Sequence, residues 1–174
     1  MMGAVHDYLA DHAPCWTVLR PSWFMQNFSE QQHRETIRAE GTVYSAAGDG
    51  RVGWIDADDI AAVAVAVLVD AHRANTDLIL TGPETLNYDE LAAKIGASVG
   101  RIISHRRLTV DALARRFEAA GMPAAYAETL AGMDGAIEAG VGNFVTTAVT
   151  DITGKSATSF AQFASHSKAA WQRA

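Results

Sequence analysis

The sequence predicts an α/β domain with parallel strands and a helical C-terminal portion, and three observations predict it. Residues 16–19, Trp16 to Leu19 in a row of large side chains, are apolar on both faces and stop at Pro21, the pattern of a strand covered on two sides, as parallel strands are. Further short apolar runs, at residues 42–46, 52–55 and 78–80, alternate with capped helical segments. Beyond residue 106, helical periodicity takes over. The chain of 174 residues is read as a single domain over 1–174. At that length a fold buries roughly 70% of the surface its unfolded chain exposes.

The elements follow in order. Val5, Tyr8 and Leu9 give helical spacing over residues 2–13, and Pro14 ends that helix. After the strand at 16–19, Pro21 and Ser22 break the chain, and residues 29–39 resume as a polar, mostly exposed helix closed by Gly41. Residues 42–46 and 52–55 are expected to form two strands joined as a hairpin by the glycine-rich turn at 47–51. Asp56 caps the next helix, with Asp59 three residues on, and the body at 60–71 is apolar all round and expected to be buried.

Residues 78–80 form a strand halted by Thr81, Gly82 and Pro83. Asn87 caps a helix with Glu90 at its third position, ending at Gly100. Residues 101–106 suit a strand. Thr109 caps a helix over 110–120, and Pro123 opens another that runs to about residue 139. Residues 144–152, rich in Val and Thr, fit either strand or loop. Phe160, Phe163, Ala164, Ser167, Ala170 and Trp171 then space out as a terminal amphipathic helix.

With 49% hydrophobic and 20% charged residues and a mean hydropathy near zero, the composition is that of a soluble globular protein. A net charge of −6 argues against a nucleic-acid partner. The dense basic cluster, Arg101, Arg106, Arg107, Arg115 and Arg116, reads as a solvated helical face. The longest apolar run, residues 60–69, falls well short of the ~20 residues that span a bilayer. A lone Cys15 forms no internal disulfide and is expected as a buried small hydrophobe. No secretory signal opens the chain, so a cytoplasmic location is expected.

Several motifs are tempting and fail on chemistry. Gly48-Asp49-Gly50-Arg51-Val52-Gly53 matches the dinucleotide fingerprint, with Asp70 downstream. That fingerprint needs its helix to open within the glycines, so that the first amides face a pyrophosphate. Here the helix waits for Asp56, and Asp49, Asp56, Asp58 and Asp59 would repel one. No Tyr is followed four residues on by Lys, the pair that makes a phenol a general acid. The histidines, His6, His12, His33, His72, His105 and His166, are scattered and form no metal-site grouping. Neither a nucleophile elbow nor a phosphate loop is present.

What remains is the segment after the first strand. Trp23, Phe24, Met25 and Phe28 place large apolar side chains beside the polar Ser22, Gln26 and Asn27, the mixture that lines ligand pockets. In doubly wound sheets ligands sit beyond the carboxyl ends of strands, where this segment emerges.

That segment, together with Gly3-Ala4-Val5-His6-Asp7-Tyr8-Leu9, Gly48-Asp49-Gly50, residues 55–62 and 80–84 and the tail from Thr153-Gly154 to Trp171, resembles the NmrA-like group of atypical short-chain dehydrogenases. Within that group it is most similar to the ergot alkaloid biosynthesis protein subgroup of NAD(P)-dependent reductases. The resemblance implies the C-terminal portion of an NAD(P)-binding Rossmann-like fold, parallel strands plus a helical substrate subdomain. The family's glycine-rich cofactor loop would lie before residue 1, and the chain reads as a truncated member, inactive by itself.

By the same resemblance Arg20, Pro21, Ser22, Trp23 and Phe24 would pass beside the nicotinamide of NAD(P)H, while Gln26, Asn27 and Phe28 would face a small-molecule substrate. Members of this type commonly lack the Tyr and Lys pair, so hydride transfer to a C=N or C=C bond would depend on holding the ring against the electrophile. No metal is implied. The competing expectation is a non-catalytic NmrA-like binding or regulatory module. A strand at 16–19 without upstream neighbours would leave an unpaired edge, so homo-oligomerisation or edge pairing is expected.

Overall fold

The computed structural model describes residues 2–69 and 75–172; Asp70 and His72 lie outside them. The chain opens with helix α1 (Met2–His12) and strand β1 (Thr17–Pro21). Where one helix was expected at 29–39 there are two, α2 (Gln26–Ser29) and α3 (Arg34–Glu40), the second closed by Gly41 in the left-handed conformation at φ 67°. Strand β2 (Thr42–Ser45) follows, then α4 (Ala57–Val69), β3 (Thr76–Leu80), α5 (Tyr88–Val99) and β4 (Ser104–Arg107). The helical portion comprises α6 (Val110–Ala119), α7 (Ala124–Glu138), α8 (Ala148–Thr153), α9 (Phe160–His166) and a 3-10 turn, Lys168–Trp171. The undecided stretch at 144–152 thus ends as helix, and the terminal amphipathic segment breaks at Ser167.

All strand pairing between these elements is parallel. β1 lies beside β3 with Thr17 opposite Thr76 and Pro21 opposite Leu80, and β2 lies beside β4 with Thr42 opposite Ser104 and Ser45 opposite Arg107. The expected hairpin does not form. Val52 bridges antiparallel to Leu86, and Ile55 bridges parallel to Phe24. The reason is packing: Gly50 lies against the Ile137 backbone and Gly53 against the Phe144 carbonyl, approaches that no Cβ would permit. These contacts turn the chain away from β2 and send Trp54 inward, where its Nε1 donates to the Leu86 carbonyl at 3.0 Å.

The helix caps read from the sequence are present where their donors are local. Asn87 and Glu90 form a full capping box on α5, and Thr109 accepts from the Ala112 amide on α6. Asp56 accepts from the Asp58 amide at 3.2 Å, but Asp59 turns away to hold the Thr158 amide and hydroxyl at 2.7 and 3.1 Å. Thus a residue expected to cap α4 instead ties it to the loop before α9.

The main core gathers Phe28, Trp54, Tyr88, Phe160 and Trp171 between α5, α9 and the loops after β1 and β2. Aromatic edges meet there: Phe28 packs edge-on against Trp54 at 5.1 Å and against Phe160 at 5.4 Å. Arg101 is no member of a solvated helical face. Its Nη2 donates to the carbonyls of Ile37, Arg38 and Trp171, clamping α3 to the C-terminal turn. Arg106 and Arg107 lie on β4, and Arg115 and Arg116 on α6.

Two burial expectations fail together. Helix α4 buries only Val63 fully, leaving Val65, Leu68 and Val69 at 62%, 84% and 81% exposure, and strand β1 is at best half-buried. The β1–β3 pair is a sheet of two strands, which gives α4 little surface to pack on, and α4 meets chiefly α8 and β1. Cys15, expected inside, is exposed, two residues before β1 begins. No helix among the described residues is long and apolar enough to cross a membrane.

Candidate functional site

The segment leaving β1 is held by backbone bonds that continue the sheet without being a strand. The Ser22 amide donates to the Leu80 carbonyl at 2.9 Å, the Ile55 amide to the Trp23 carbonyl at 3.0 Å, and the Met25 amide to the Ile55 carbonyl at 2.9 Å. These bonds fix Ser22, Trp23 and Phe24 at the carboxyl end of the β1–β3 pair. Beyond them opens a cavity of 650 Å³.

One wall of that cavity is Pro21, Ser22, Trp23, Phe24 and Asn27, continued by Gln31 and Gln32; the other is Tyr126, Thr129, Leu130 and Met133 of α7. The lining is mostly apolar and aromatic and carries no charged side chain, so it suits an uncharged planar guest. Ser22 Oγ is buried with no hydrogen-bond partner among the described residues. A hydroxyl sealed from water without a partner costs about 1–3 kcal/mol, so Ser22 brings its backbone and not its Oγ to the cavity wall.

The other sequence-selected residues sit elsewhere. Arg20 is outside the cavity and pairs with Asp77 on β3 at 2.7 Å, a contact that holds the Asp77 carboxyl below its usual range. Gln26 lies behind the wall: its Nε2 donates to Asp56 Oδ1 at 2.7 Å and its Oε1 accepts from the Ala57 amide at 3.1 Å, so it anchors the start of α4. Phe28 is fully buried in the aromatic core. Of the residues placed by resemblance, Pro21, Ser22, Trp23, Phe24 and Asn27 therefore share the cavity, and Arg20, Gln26 and Phe28 frame it from outside.

Sequence reasoning missed the α7 wall, about a hundred positions away in the chain. Its signal was available as an i, i+4 and i+3 stripe, Tyr126, Leu130 and Met133, yet such a stripe reads the same whether a helix faces a core or a cavity.

Two buried polar groups also escaped notice. Asp134 of α7 accepts from the Ala46 amide at 2.8 Å and from the Tyr88 hydroxyl at 3.1 Å; burial outweighs those bonds and raises its carboxyl to about 6. The second is a chain in which His105 Nε2 meets Ser45 Oγ at 2.8 Å and Nδ1 meets Asp89 at 3.1 Å. It has the order of a nucleophilic triad, but Ser45 is fully buried, so no substrate reaches it. Burial lowers the His105 pKa even against the pull of Asp89, and the chain serves to tie β2, β4 and α5 together. Among the described residues no three His, Cys, Asp or Glu side chains group to hold a metal.

No protein-family model matches this chain. Against curated proteins it is 46% identical over 171 residues to an oxidoreductase of Bacillus subtilis, YesF, a match spanning 98% of this chain and 59% of the relative. It is 43% identical over 173 residues to agroclavine dehydrogenase of Claviceps fusiformis, across 98% of this chain and 60% of that one. Among solved structures it resembles the NADPH-dependent quinone oxidoreductase of Escherichia coli, also solved with NADPH. That likeness has a TM-score of 0.84 and 26% identity, and covers 94% of this chain and 58% of the other. The chain spans about three fifths of the length of the curated relatives it matches.

Proposed function

We propose, since this chain belongs with the NmrA-like NAD(P)-dependent reductases related to the agroclavine dehydrogenases and has the architecture of their C-terminal portion, that it supplies the substrate pocket of such an oxidoreductase. The reaction it serves is reduction of a C=N or C=C bond in an uncharged small molecule by hydride transfer. The observation that carries this reading is the uncharged, mostly apolar cavity that Trp23 and Phe24 open beyond the carboxyl end of β1.

The residues present fit one end of a dinucleotide. Ser22, Trp23 and Phe24 would border the nicotinamide of NAD(P)H, which supplies the hydride when bound, while Asn27 and the α7 side chains would orient the acceptor against it. They do not fit the pyrophosphate: residues 48–53 are a packing turn and α4 opens on Asp56, Asp58 and Asp59, so its N-terminal amides face carboxylates. This chain's own contribution is thus to seat and desolvate the acceptor, in a protein we expect in the cytoplasm.

The test is a titration of the chain with menadione, a neutral planar quinone, read by Trp23 fluorescence with Trp23→Phe as the blank. Saturable quenching is expected; no quenching would remove the pocket. A parallel titration with NADPH is expected to show no tight binding, and tight binding would overturn the reading of residues 48–53. Ser22→Ala is expected to leave the unfolding free energy unchanged or raise it by up to ~1 kcal/mol, because it deletes a buried, unpartnered hydroxyl. A clear loss of stability would mean that Ser22 Oγ has a partner within the fold.

We further propose that the chain self-associates through the apolar face of α4. Val65, Leu68 and Val69 stand exposed on adjoining turns, a patch of a kind that isolated domains cover. Sedimentation is expected to give a dimer or larger species that Val65→Glu with Leu68→Glu reduces to a monomer. A wild-type monomer at the same concentration would end this proposal.

A further inference from the structure

A second cavity, of 290 Å³, lies between α3 and α6 and shares Gln32 with the first. His33 lines it, at only 4% exposure, with its ring stacked on Phe28 at 5.0 Å and edge-on to Tyr88 at 5.8 Å. Among the described residues no protein group bonds either nitrogen of that ring. Ser22 Oγ is the one side-chain polar atom among the described residues that is both sealed and unpartnered, so the unbonded His33 ring keeps its polar edge open at the cavity wall, where a guest can bond it.

The charges around it are already matched. Arg116 donates from Nη2 to Glu40 Oε1 at 2.5 Å and lies over the Tyr44 ring at 3.7 Å, and Tyr44 donates to Glu40 Oε2 at 2.6 Å. The cavity also meets the C-terminal end of α6 at Ala119 and Ala120, where the helix dipole disfavours an anion. A cationic guest would face Arg116. What these walls do offer is paired donors and acceptors: a neutral imidazole has one of each, and the Gln32 carboxamide has both. Burial keeps His33 uncharged, with its pKa pulled down to about 3, the nearby His105 adding to the effect.

We infer that this cavity is the polar end of the substrate site: it takes an uncharged group that both donates and accepts hydrogen bonds, such as a carboxamide or a lactam. The planar apolar body carrying that group lies in the larger cavity, and Gln32 marks the junction. This assignment rests on the pocket reading above, and the experiment separates the two.

The chain is titrated with naphthalene, 2-naphthamide and 2-naphthoate while two signals are followed, Trp23 fluorescence and the ring ¹⁵N resonances of His33, assigned with His33→Phe. Naphthamide is expected to move both signals and to bind about tenfold more tightly than naphthalene, the size of one added hydrogen bond. Naphthoate should bind more weakly than the amide. Gln32→Leu, at a half-exposed position, should erase the preference for the amide without unfolding the chain, as circular dichroism will register.

If Trp23 responds equally to all three probes while His33 stays unmoved, the second cavity holds only solvent and this inference is overturned, the larger pocket standing. If His33 responds while Trp23 does not, the cavities are separate and the link fails. If neither responds, both readings fall.

Discussion

Trp171→Ala is expected to destabilise the fold by about 4 kcal/mol, close to the whole stability of a small domain, which runs from about 5 to 15 kcal/mol. Trp171 is fully buried against Phe163 and its Nε1 donates to the Phe28 carbonyl at 2.6 Å. Alanine empties the site of an indole and orphans that carbonyl, so the cavity and the lost bond act together. Because the Phe28 carbonyl belongs to the helix that follows the pocket wall, its release loosens the site as well as the tail. Urea unfolding followed by circular dichroism measures the loss. Trp171→Phe, which keeps most of the volume, should cost about 1–3 kcal/mol for the orphaned carbonyl alone. A loss below about 1 kcal/mol for the alanine variant would show that the tail does not hold the core.

His33→Phe is expected to gain on the wild type as the pH falls, by about 2.5 kcal/mol between pH 7 and pH 4.5. The folded His33 has its pKa lowered to about 3, while in the unfolded chain it takes a proton near its ordinary value of 6.5. Between those two values the unfolded state binds more protons, so stability is present above pH 6.5 and is lost as the pH falls towards 3. Phenylalanine keeps the stacking on Phe28 and carries no proton, and so escapes the loss. Asp134 works in the other direction. Its carboxyl is raised to about 6, so the folded state holds the proton more tightly and the fold gains as the pH falls from about 6 to the ordinary carboxylate range. In the wild type the two nearly offset one another between about pH 6 and 4, which is why the comparison with His33→Phe, where Asp134 is common to both, is the informative one. Parallel stability curves for the two proteins from pH 7 to 4.5 would mean that His33 is not buried without a charge.

Local features were legible because their chemistry is local. Asn87 with Glu90, Thr109 before Ala112, and Gly41 and Gly100 as helix stops needed only neighbouring residues, and each is where the sequence put it. The hairpin at 42–55 was misread because strand propensity says that a segment is extended and not what it pairs with; β2 found its partner in β4, about sixty residues on. α4 was misread in the opposite sense. Its composition measures how much burial the helix could use, whereas its actual burial is set by what packs against it, here a two-stranded sheet and α8 that leave Val65, Leu68 and Val69 exposed.

The candidate site divides in the same way. Its first wall could be read, since a strand that stops at Pro21 and empties into Ser22, Trp23 and Phe24 carries both the position and the chemistry of a pocket within one segment. Its second wall could not, because Tyr126, Leu130 and Met133 become pocket residues only when α7 packs across from β1.

By itself, then, the sequence determined the fold class, the local helix caps and stops, and the segment that lines the larger cavity, all of which depend on side chains close together in the chain. Only the tertiary structure decided which of those side chains open onto a cavity and which seal it. Gln26 turned to Asp56, Phe28 went to the core and Ser22 was left without a partner, because hydrogen-bond satisfaction and close packing are settled between elements and not within them.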